Sequence, residues 1–179
     1  AERNAFGAAS VRAGNVIGGG DWSSNRIIPD CVRALISDQP ITIRNPHATR
    51  PWQHVLEPLS GYITLGAYLL KNGGGNFGSW NFGPPENAVH TVGEVANSVI
   101  SEWGSGSLVI DKTSEKLHEA TLLQLNCDKA RNFFGWKPRW GYEQTIRKTI
   151  QWYVKFNNQA SVIATSKEQL AEYEMSEHD

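Results

Sequence analysis

Short apolar runs alternate with longer segments of helical periodicity along this chain. The short runs are rich in small, β-branched and aromatic residues and are bounded by glycine, proline or asparagine, which is typical of buried strands. They predict strands at residues 8–17, 41–44, 80–82 and 108–110. Residues 45–52 contain two prolines and are predicted to form a loop.

The longer segments place apolar residues on one helical face. The predicted helices cover residues 26–37, 57–71, 91–103 and 142–156, and a short one starts at residue 126 or 128 and ends at Gly135. Thr91 and Glu94 have the spacing of a capping box. Ser166 and Gln169 repeat that spacing, so residues 166–175 form either a small docked helix or a frayed tail. Strands and helices mixed in this way predict an α/β fold.

Composition narrows the choice of partners. The 179 residues are 40% hydrophobic, enough for one domain with a real core. A formal net charge of −1 gives no reason to expect nucleic acid or an anionic membrane as a partner, and no apolar run approaches the roughly 20 residues of a membrane span. Cys31 and Cys127 lie far apart, which favours isolated thiols in a reducing cytosol over a disulfide. We therefore expect a cytoplasmic protein.

Two glycine clusters invite a dinucleotide-binding interpretation. The fingerprint G-x-G-x-x-G occurs at residues 73–78, but there it follows a predicted helix and precedes a strand, the reverse of what a phosphate loop requires. We interpret it as a turn. Residues 18–20 do follow a strand, although Ser23 stands where a third spaced glycine would be. Their backbone is expected to pass close to a ligand at the strand end.

Two polar residues are candidates for ligand contact. Asn15 is an amide inside an apolar strand, so it either makes a structural hydrogen bond or contacts a ligand. Arg50 lies in the predicted loop, where it is either a solvated charge or a bidentate clamp for a phosphate. The histidines share no metal-ligand spacing, so no metal site is expected.

Several stretches together resemble the C-terminal part of the extended short-chain dehydrogenases/reductases that act on nucleotide sugars, and most closely the branch that dehydrates CDP-glucose. The stretches are SVRAGNVIGGGDW (10–22), RIIPDCVRAL (26–35), ITIRNPHATRPWQHVLEPLSGY (41–62), SWNFGP (79–84), KLHEATLLQLNCDKAR (116–131) and GWKPRWGYEQTIRKTIQWY (135–153). The resemblance covers essentially the whole chain. It implies the last strands of an NAD-binding Rossmann-like sheet plus the smaller substrate-binding domain.

The family's other half is not in this sequence. Its glycine fingerprint and its catalytic Tyr-x-x-x-Lys pair precede the first strand found here, and no tyrosine of this chain has a lysine four residues on. We therefore expect an N-terminally truncated piece. The resemblance assigns residues 1–160 to the C-terminal part of the epimerase/dehydratase domain and residues 161–179 to a tail or short helix. It implies that NAD binds mainly to the missing half and that the isolated chain is inactive.

The resemblance also assigns substrate contacts. The residues concerned are Asn15, Arg26, Ile28, Pro29, Thr42, Ile43, Arg44, Arg50, Asn81 and His118. Asn15 corresponds to the asparagine that meets both the sugar and the nicotinamide, and Arg50 to the arginine that binds the pyrophosphate. The segments around residues 26–29 and 42–44 would line the nucleotide, and Asn81 would reach the same pocket. His118 stands where relatives often carry a second phosphate arginine.

The implied reaction is an NAD-dependent loss of water that turns the glucose of CDP-glucose into a 4-keto-6-deoxy sugar. Two other interpretations stay open on the residues alone. One is a dehydratase or epimerase for a dTDP- or UDP-sugar, and the other is a non-catalytic nucleotide-binding module. The family usually dimerises through helices of the missing half, so the full-length protein is expected to be a homodimer or a larger oligomer.

Overall fold

The computed structural model describes residues 7–73, 75–84, 89–111 and 125–176. The strands are β1 (Gly7–Ala13), β2 (Asn15–Ile17), β3 (Ile41–Ile43), β4 (Thr49–Arg50), β5 (Trp52–His54), β6 (Gly75–Phe82), β7 (His90–Thr91) and β8 (Leu108–Ile110). The helices are α1 (Ile27–Ile36), α2 (Leu56–Asn72), α3 (Val92–Trp103), α4 (Asp128–Phe134), α5 (Tyr142–Asn157) and α6 (Val162–Met175). His118 lies outside the described residues.

Strand pairing is mainly parallel. β1 pairs with β6, β2 with β5, and β3 with β8, all in parallel, whereas β4 and β7 are antiparallel. Each parallel pair joins strands that are separated in sequence by at least one helix, as parallel connections require. The predicted α/β class is confirmed. Within the described ranges, no helix is long and apolar enough to cross a membrane.

The first predicted strand is divided at Gly14. β1 follows β6, and β2 leaves that pairing to follow β5, with the amide of Asn15 donating to the carbonyl of Pro51 over 2.8 Å. A Cβ at Gly14 would lie 2.5 Å from the same carbonyl oxygen, so only glycine allows this close approach. One continuous strand over residues 8–17 was therefore the wrong prediction. β1 is also more exposed than a strand buried on both faces.

The segment predicted as a loop between residues 45 and 52 contains two short strands, β4 and β5. β4 finds its partner in β7, about forty residues further along the chain, and β5 finds its partner in β2. Local sequence favours a loop here because of the prolines, and the pairing with distant strands overrides it. This correction matters because β4 carries Arg50.

The glycine-rich segment after α2 is part turn and part strand. Gly73 ends the helix with a φ of 62°, a left-handed conformation that favours glycine. β6 then begins at Gly75, five residues earlier than predicted. Gly75 and Gly78 thus lie within a strand and open no helix, so the segment predicted as a turn is largely strand.

The observed bounds of the helices agree closely with those predicted from local sequence signals, except for the start of α6. Thr91 and Glu94 make the predicted capping box of α3, and Gly135 ends α4 in a left-handed conformation. α6, however, begins at Val162 with Ser161 as its cap, four residues before the predicted start, and Ser166 donates within the helix to Val162 O. α6 is docked rather than frayed.

Two apolar clusters form the core of the described residues. The larger one joins α1, α3 and α5 around the short strands, and its fully buried side chains include Val32, Val99 and Ile150. The smaller one lies between α2, α4 and β6, around Trp80 and Phe82. Cys31 and Cys127 are both buried thiols, as the sequence predicts.

Candidate functional site

Arg50 is held in place by strand pairing. Its backbone pairs antiparallel with His90 in the β4–β7 ladder, and its Nη1 donates to the carbonyl of Thr49 over 2.8 Å. The neighbouring Trp52 donates from its indole nitrogen to the carbonyl of His90 over 3.0 Å, which fixes β7 against β5 as well. Arg50 is half-buried. A guanidinium held in this way differs from a solvated loop charge, because little side-chain freedom is left to lose on binding an anion.

Asn15 lies close to Arg50 in the fold. It is the first residue of β2, it pairs with Trp52, and its amide bonds to Pro51, the residue after Arg50. The side chain of Asn15 is half-exposed. The structure thus places the backbone of Asn15 beside the segment that carries Arg50, from sequence positions 35 residues apart.

Glycines 18–20 are explained by packing and backbone conformation. A Cβ at Gly18 would lie 2.8 Å from Val55, and one at Gly19 would lie 2.1 Å from the ring of Trp152. The hydroxyl of Tyr153 donates to the carbonyl of Asp21 over 2.7 Å, which secures the same turn to α5. Packing thus favours glycine at 18 and 19, whereas Gly20 is favoured by its left-handed backbone, with a φ of 87°.

The segment that begins α1 exposes one of its three candidate residues. Arg26 is the N-cap residue of α1, in extended conformation, and its side chain is exposed. Ile28 and Pro29 are buried, and Ile28 belongs to the larger core cluster. The side chain of Arg26 and the backbone of this turn are therefore what the segment offers to a ligand.

β3 presents an exposed edge next to this segment. Thr42 and Arg44 are exposed, whereas Ile43 points into the core. Arg44 Nη2 donates to the side-chain oxygen of Asn25 over 3.4 Å, which connects the end of β3 to the residue before Arg26. Asn25 is a polar neighbour of the candidate site that the sequence interpretation missed.

Asn81 is engaged within the fold. It pairs with Arg12 across β1 and β6, and its Nδ2 donates to the carbonyl of Asn126 over 2.8 Å. Its Oδ1 is buried and has no hydrogen-bond partner among the described residues. The amide therefore has one acceptor left for a donor, but its other end is committed to the protein.

Three buried polar residues were also missed by the sequence analysis, two of them in β5 and one in the first turn of α2. Gln53 donates to the carbonyl of Phe82 over 2.9 Å and so connects the β2–β5 pair to the end of β6. His54 packs its ring on Trp140 and accepts at Nδ1 from the amide of Leu56. Burial lowers the pKa of His54 to about 4, with the charge of Lys148 adding to the shift, so the imidazole is neutral at pH 7.

Glu57 is the third of these residues, and it holds the C-terminal segment against α2. Its carboxylate accepts from the amides of Arg139 and Trp140 over 3.0 and 2.8 Å, and from the hydroxyl of Tyr173 over 2.8 Å. Burial raises the pKa of Glu57, and these donors oppose the shift. An acid inside the apolar run HVLEPL was the available signal. In the described part of the chain, no cluster of three or more metal-ligating side chains occurs.

Known proteins share this fold. No family model matches the sequence. The structure is similar to dTDP-glucose 4,6-dehydratase from Bacillus anthracis, solved with NAD, at 24% identity and a TM-score of 0.66 over 85% of this chain and 46% of that one. It is also similar to an epimerase from Methanothermobacter thermautotrophicus, at 21% identity and a TM-score of 0.68 over 83% of this chain and 44% of that one. The fold is that of the sugar dehydratases and epimerases.

A comparison of amino-acid sequences finds a curated relative with higher identity than these two structures. The chain is 41% identical over 172 residues to the CDP-glucose 4,6-dehydratase of Salmonella typhimurium, covering 96% of this chain and 48% of that protein. This sequence similarity runs along nearly the whole of this chain and agrees with the fold of the sugar dehydratases and epimerases. The chain spans about half the length of the curated relative it matches.

The residues of this chain fit NAD only in part. The half-exposed amide of Asn15, at a strand end, is suited to a nicotinamide carboxamide. The one G-x-G-x-x-G segment of the sequence, residues 73–78, runs from the end of α2 into β6 and opens no helix, so it lacks the helix N-terminus at which a dinucleotide diphosphate binds.

Proposed function

We propose that this chain is the sugar-nucleotide-binding part of a CDP-glucose 4,6-dehydratase, a lyase of deoxysugar biosynthesis. The observation that carries the proposal is the 41% identity along nearly the whole chain. The placement of Asn15 beside the Arg50 segment supports it, because a sugar diphosphate needs an amide near the sugar and a fixed cation at the pyrophosphate.

The proposed substrate contacts are those that the resemblance assigns. Arg50 binds the pyrophosphate through parallel hydrogen bonds, and Asn15 orients the sugar against the nicotinamide. Arg26 and the exposed residues Thr42 and Arg44 contact the nucleoside, while the buried residues of the same segments, Ile28, Pro29 and Ile43, shape the surface beneath it. Asn81 contributes its remaining acceptor, and His118 stays a candidate for a second phosphate contact.

In the proposed reaction, NAD supplies the redox chemistry by accepting the hydride from C4 of glucose and returning it at C6. The C4 ketone acidifies the proton at C5, so water leaves across C5 and C6 without net oxidation. No tyrosine of this chain has a lysine four residues on, so the catalytic pair of the family must come from the other half. We therefore expect the isolated chain to be inactive.

The surface of the chain supports the need for a second half. α2 exposes Leu59, Ile63 and Leu70 at heptad spacing, and β1 exposes Val11. Among the described residues β1 pairs on one edge only, with β6. Two-stranded parallel sheets are rarely left open, because parallel strands are normally covered on both faces. We propose that this face packs against the cofactor-binding half, which would account for the other half of the relative's length.

The proposal extends to assembly and location. The complete protein is expected to form a homodimer or larger oligomer through its other half. Residues 1–160 would complete the epimerase/dehydratase domain, with α6 as an appended helix in residues 161–179. A cytoplasmic location is supported by the two buried thiols, which are typical of a reducing compartment.

The test is to supply CDP-glucose and NAD to the complete protein and to the isolated 179 residues. We expect CDP-4-dehydro-6-deoxyglucose from the complete protein and none from the isolated chain. A complete protein that binds CDP-glucose but returns it unchanged would support the non-catalytic module instead. Conversion of dTDP- or UDP-glucose in preference to CDP-glucose would support the other branch of the family.

A further inference from the structure

Asn25 and Arg44 form a polar pair at the edge of the proposed nucleotide site. Asn25 has a left-handed backbone with a φ of 61° and directly precedes Arg26. Arg44 follows β3 and donates from Nη2 to Asn25 Oδ1 over 3.4 Å. Both side chains are exposed. The pair thus connects the beginning of α1 with the end of β3, the two segments proposed to contact the nucleoside.

The contact determines which way the carboxamide of Asn25 faces. A guanidinium carries five N–H donors and no acceptor, so the atom turned toward Arg44 must be the oxygen of Asn25 and not its nitrogen. That oxygen has a second lone pair available, and Arg44 has further N–H groups. The pair therefore presents the acceptor oxygen of Asn25 next to the remaining N–H donors of Arg44.

An acceptor beside several donors is complementary to one edge of cytosine. Cytosine has an amino donor at N4 beside acceptors at N3 and O2, whereas uracil and thymine have an acceptor at O4 beside an N3–H donor. We propose that Asn25 accepts from the N4 amino group and that Arg44 donates to N3 or O2, so that the pair selects cytidine diphosphates. The inference rests on the proposed function, since that function brings a nucleoside to this surface.

A purely conformational role for Asn25 is the competing explanation. Asparagine is enriched in left-handed conformations, and a turn before a helix often needs such a residue. Two substitutions of Asn25 distinguish the conformational role from base recognition. Asn25→Gly keeps the left-handed backbone and removes the carboxamide, whereas Asn25→Asp tolerates the same backbone and keeps the acceptor oxygen.

The experiment is calorimetric titration of the complete protein with CDP and with UDP. We expect wild type to bind CDP about tenfold more tightly than UDP, as one well-oriented polar contact provides. Asn25→Gly should bring the two dissociation constants close to equality, chiefly through weaker CDP binding. Asn25→Asp should keep the preference for CDP.

The matched control is Asp38→Gly. Asp38 follows α1 at its other end and also has a left-handed backbone, with a φ of 53°. This variant should keep the preference of wild type, and equal melting temperatures confirm that all variants are folded. A CDP preference that persists in Asn25→Gly would overturn the inference while leaving the proposed function intact. A wild type with no preference for CDP would overturn the inference and count against CDP-glucose as the substrate. A complete protein that binds neither nucleotide would overturn both.

Discussion

Arg50 is the residue on which the proposed diphosphate contact depends most. Replacing it by lysine keeps the charge but removes the planar fork that binds two phosphate oxygens. We expect Arg50→Lys in the complete protein to weaken CDP-glucose binding by about 1–3 kcal/mol. The Michaelis constant measures this, with Arg131→Lys as the control, since Arg131 forms an exposed ion pair with Asp128 on α4. An unchanged Michaelis constant in Arg50→Lys would refute the assigned role.

His54 makes the stability of the fold depend on pH. Its pKa is about 4 in the folded chain and about 6.5 in an unfolded one. The unfolded state therefore takes up a proton first, so this contribution is complete above pH 6.5 and is lost as the pH falls toward 4. The loss amounts to about 3 kcal/mol. Urea unfolding at several pH values measures it, and His54→Phe should show a correspondingly smaller decrease between pH 7 and pH 4. Equal pH dependence in the two proteins would refute this role.

At the scale of elements, the buried hydroxyl of Tyr173 is one of the contacts that attach α6 to the rest of the chain. Tyr173 donates to Glu57, and its removal leaves a buried carboxylate with one donor fewer. We expect Tyr173→Phe to lower the free energy of unfolding by about 1–3 kcal/mol. Tyr68→Phe is the control, because Tyr68 contributes ring contacts with Phe77, Phe133 and Phe134 that a phenylalanine keeps. Similar stabilities of the two variants would contradict the importance of this attachment.

Gly14 sets the point at which one strand becomes two. A Cβ there meets the carbonyl of Pro51 at 2.5 Å, so Gly14→Ala should push β2 from β5 and destabilise the chain. Gly66→Ala is the matched control, since a Cβ at that position of α2 has no atom within 4 Å and alanine favours helix by roughly 0.5–1 kcal/mol. Thermal unfolding of both variants measures the difference. If Gly14→Ala melts like wild type, the strand division does not depend on this glycine.

Elements whose signals are local could be predicted from the sequence. The capping box of α3 and the glycine that ends α4 were both identified, because each involves residues within one turn. The strands β4 and β5 were missed, since β4 is defined by its pairing with β7 and β5 by its pairing with β2. The predicted start of α6 was too late. Ser166 has the sequence pattern of an N-cap residue, whereas the backbone is already helical from Val162.

At the scale of the whole molecule, the sequence singled out residues that lie on neighbouring strands but missed the buried polar contacts around them. The motifs singled out Asn15 and Arg50, which the fold brings together. The buried network around Glu57 was not predicted, because its donors come from residues 82 or more positions away. The sequence could not show that Gly18 and Gly19 pack against Val55 and Trp152, because these partners lie far along the chain.

The central claim is that this chain belongs to an enzyme that removes water across C5 and C6. CDP-glucose deuterated at C4, given to the complete protein with NAD, tests it directly, with NMR of the product as the measurement. A dehydratase moves the label from C4 to C6, and this is the result we predict. Deuterium that stays at C4 of an epimerised sugar, or substrate recovered unchanged, would contradict the claim.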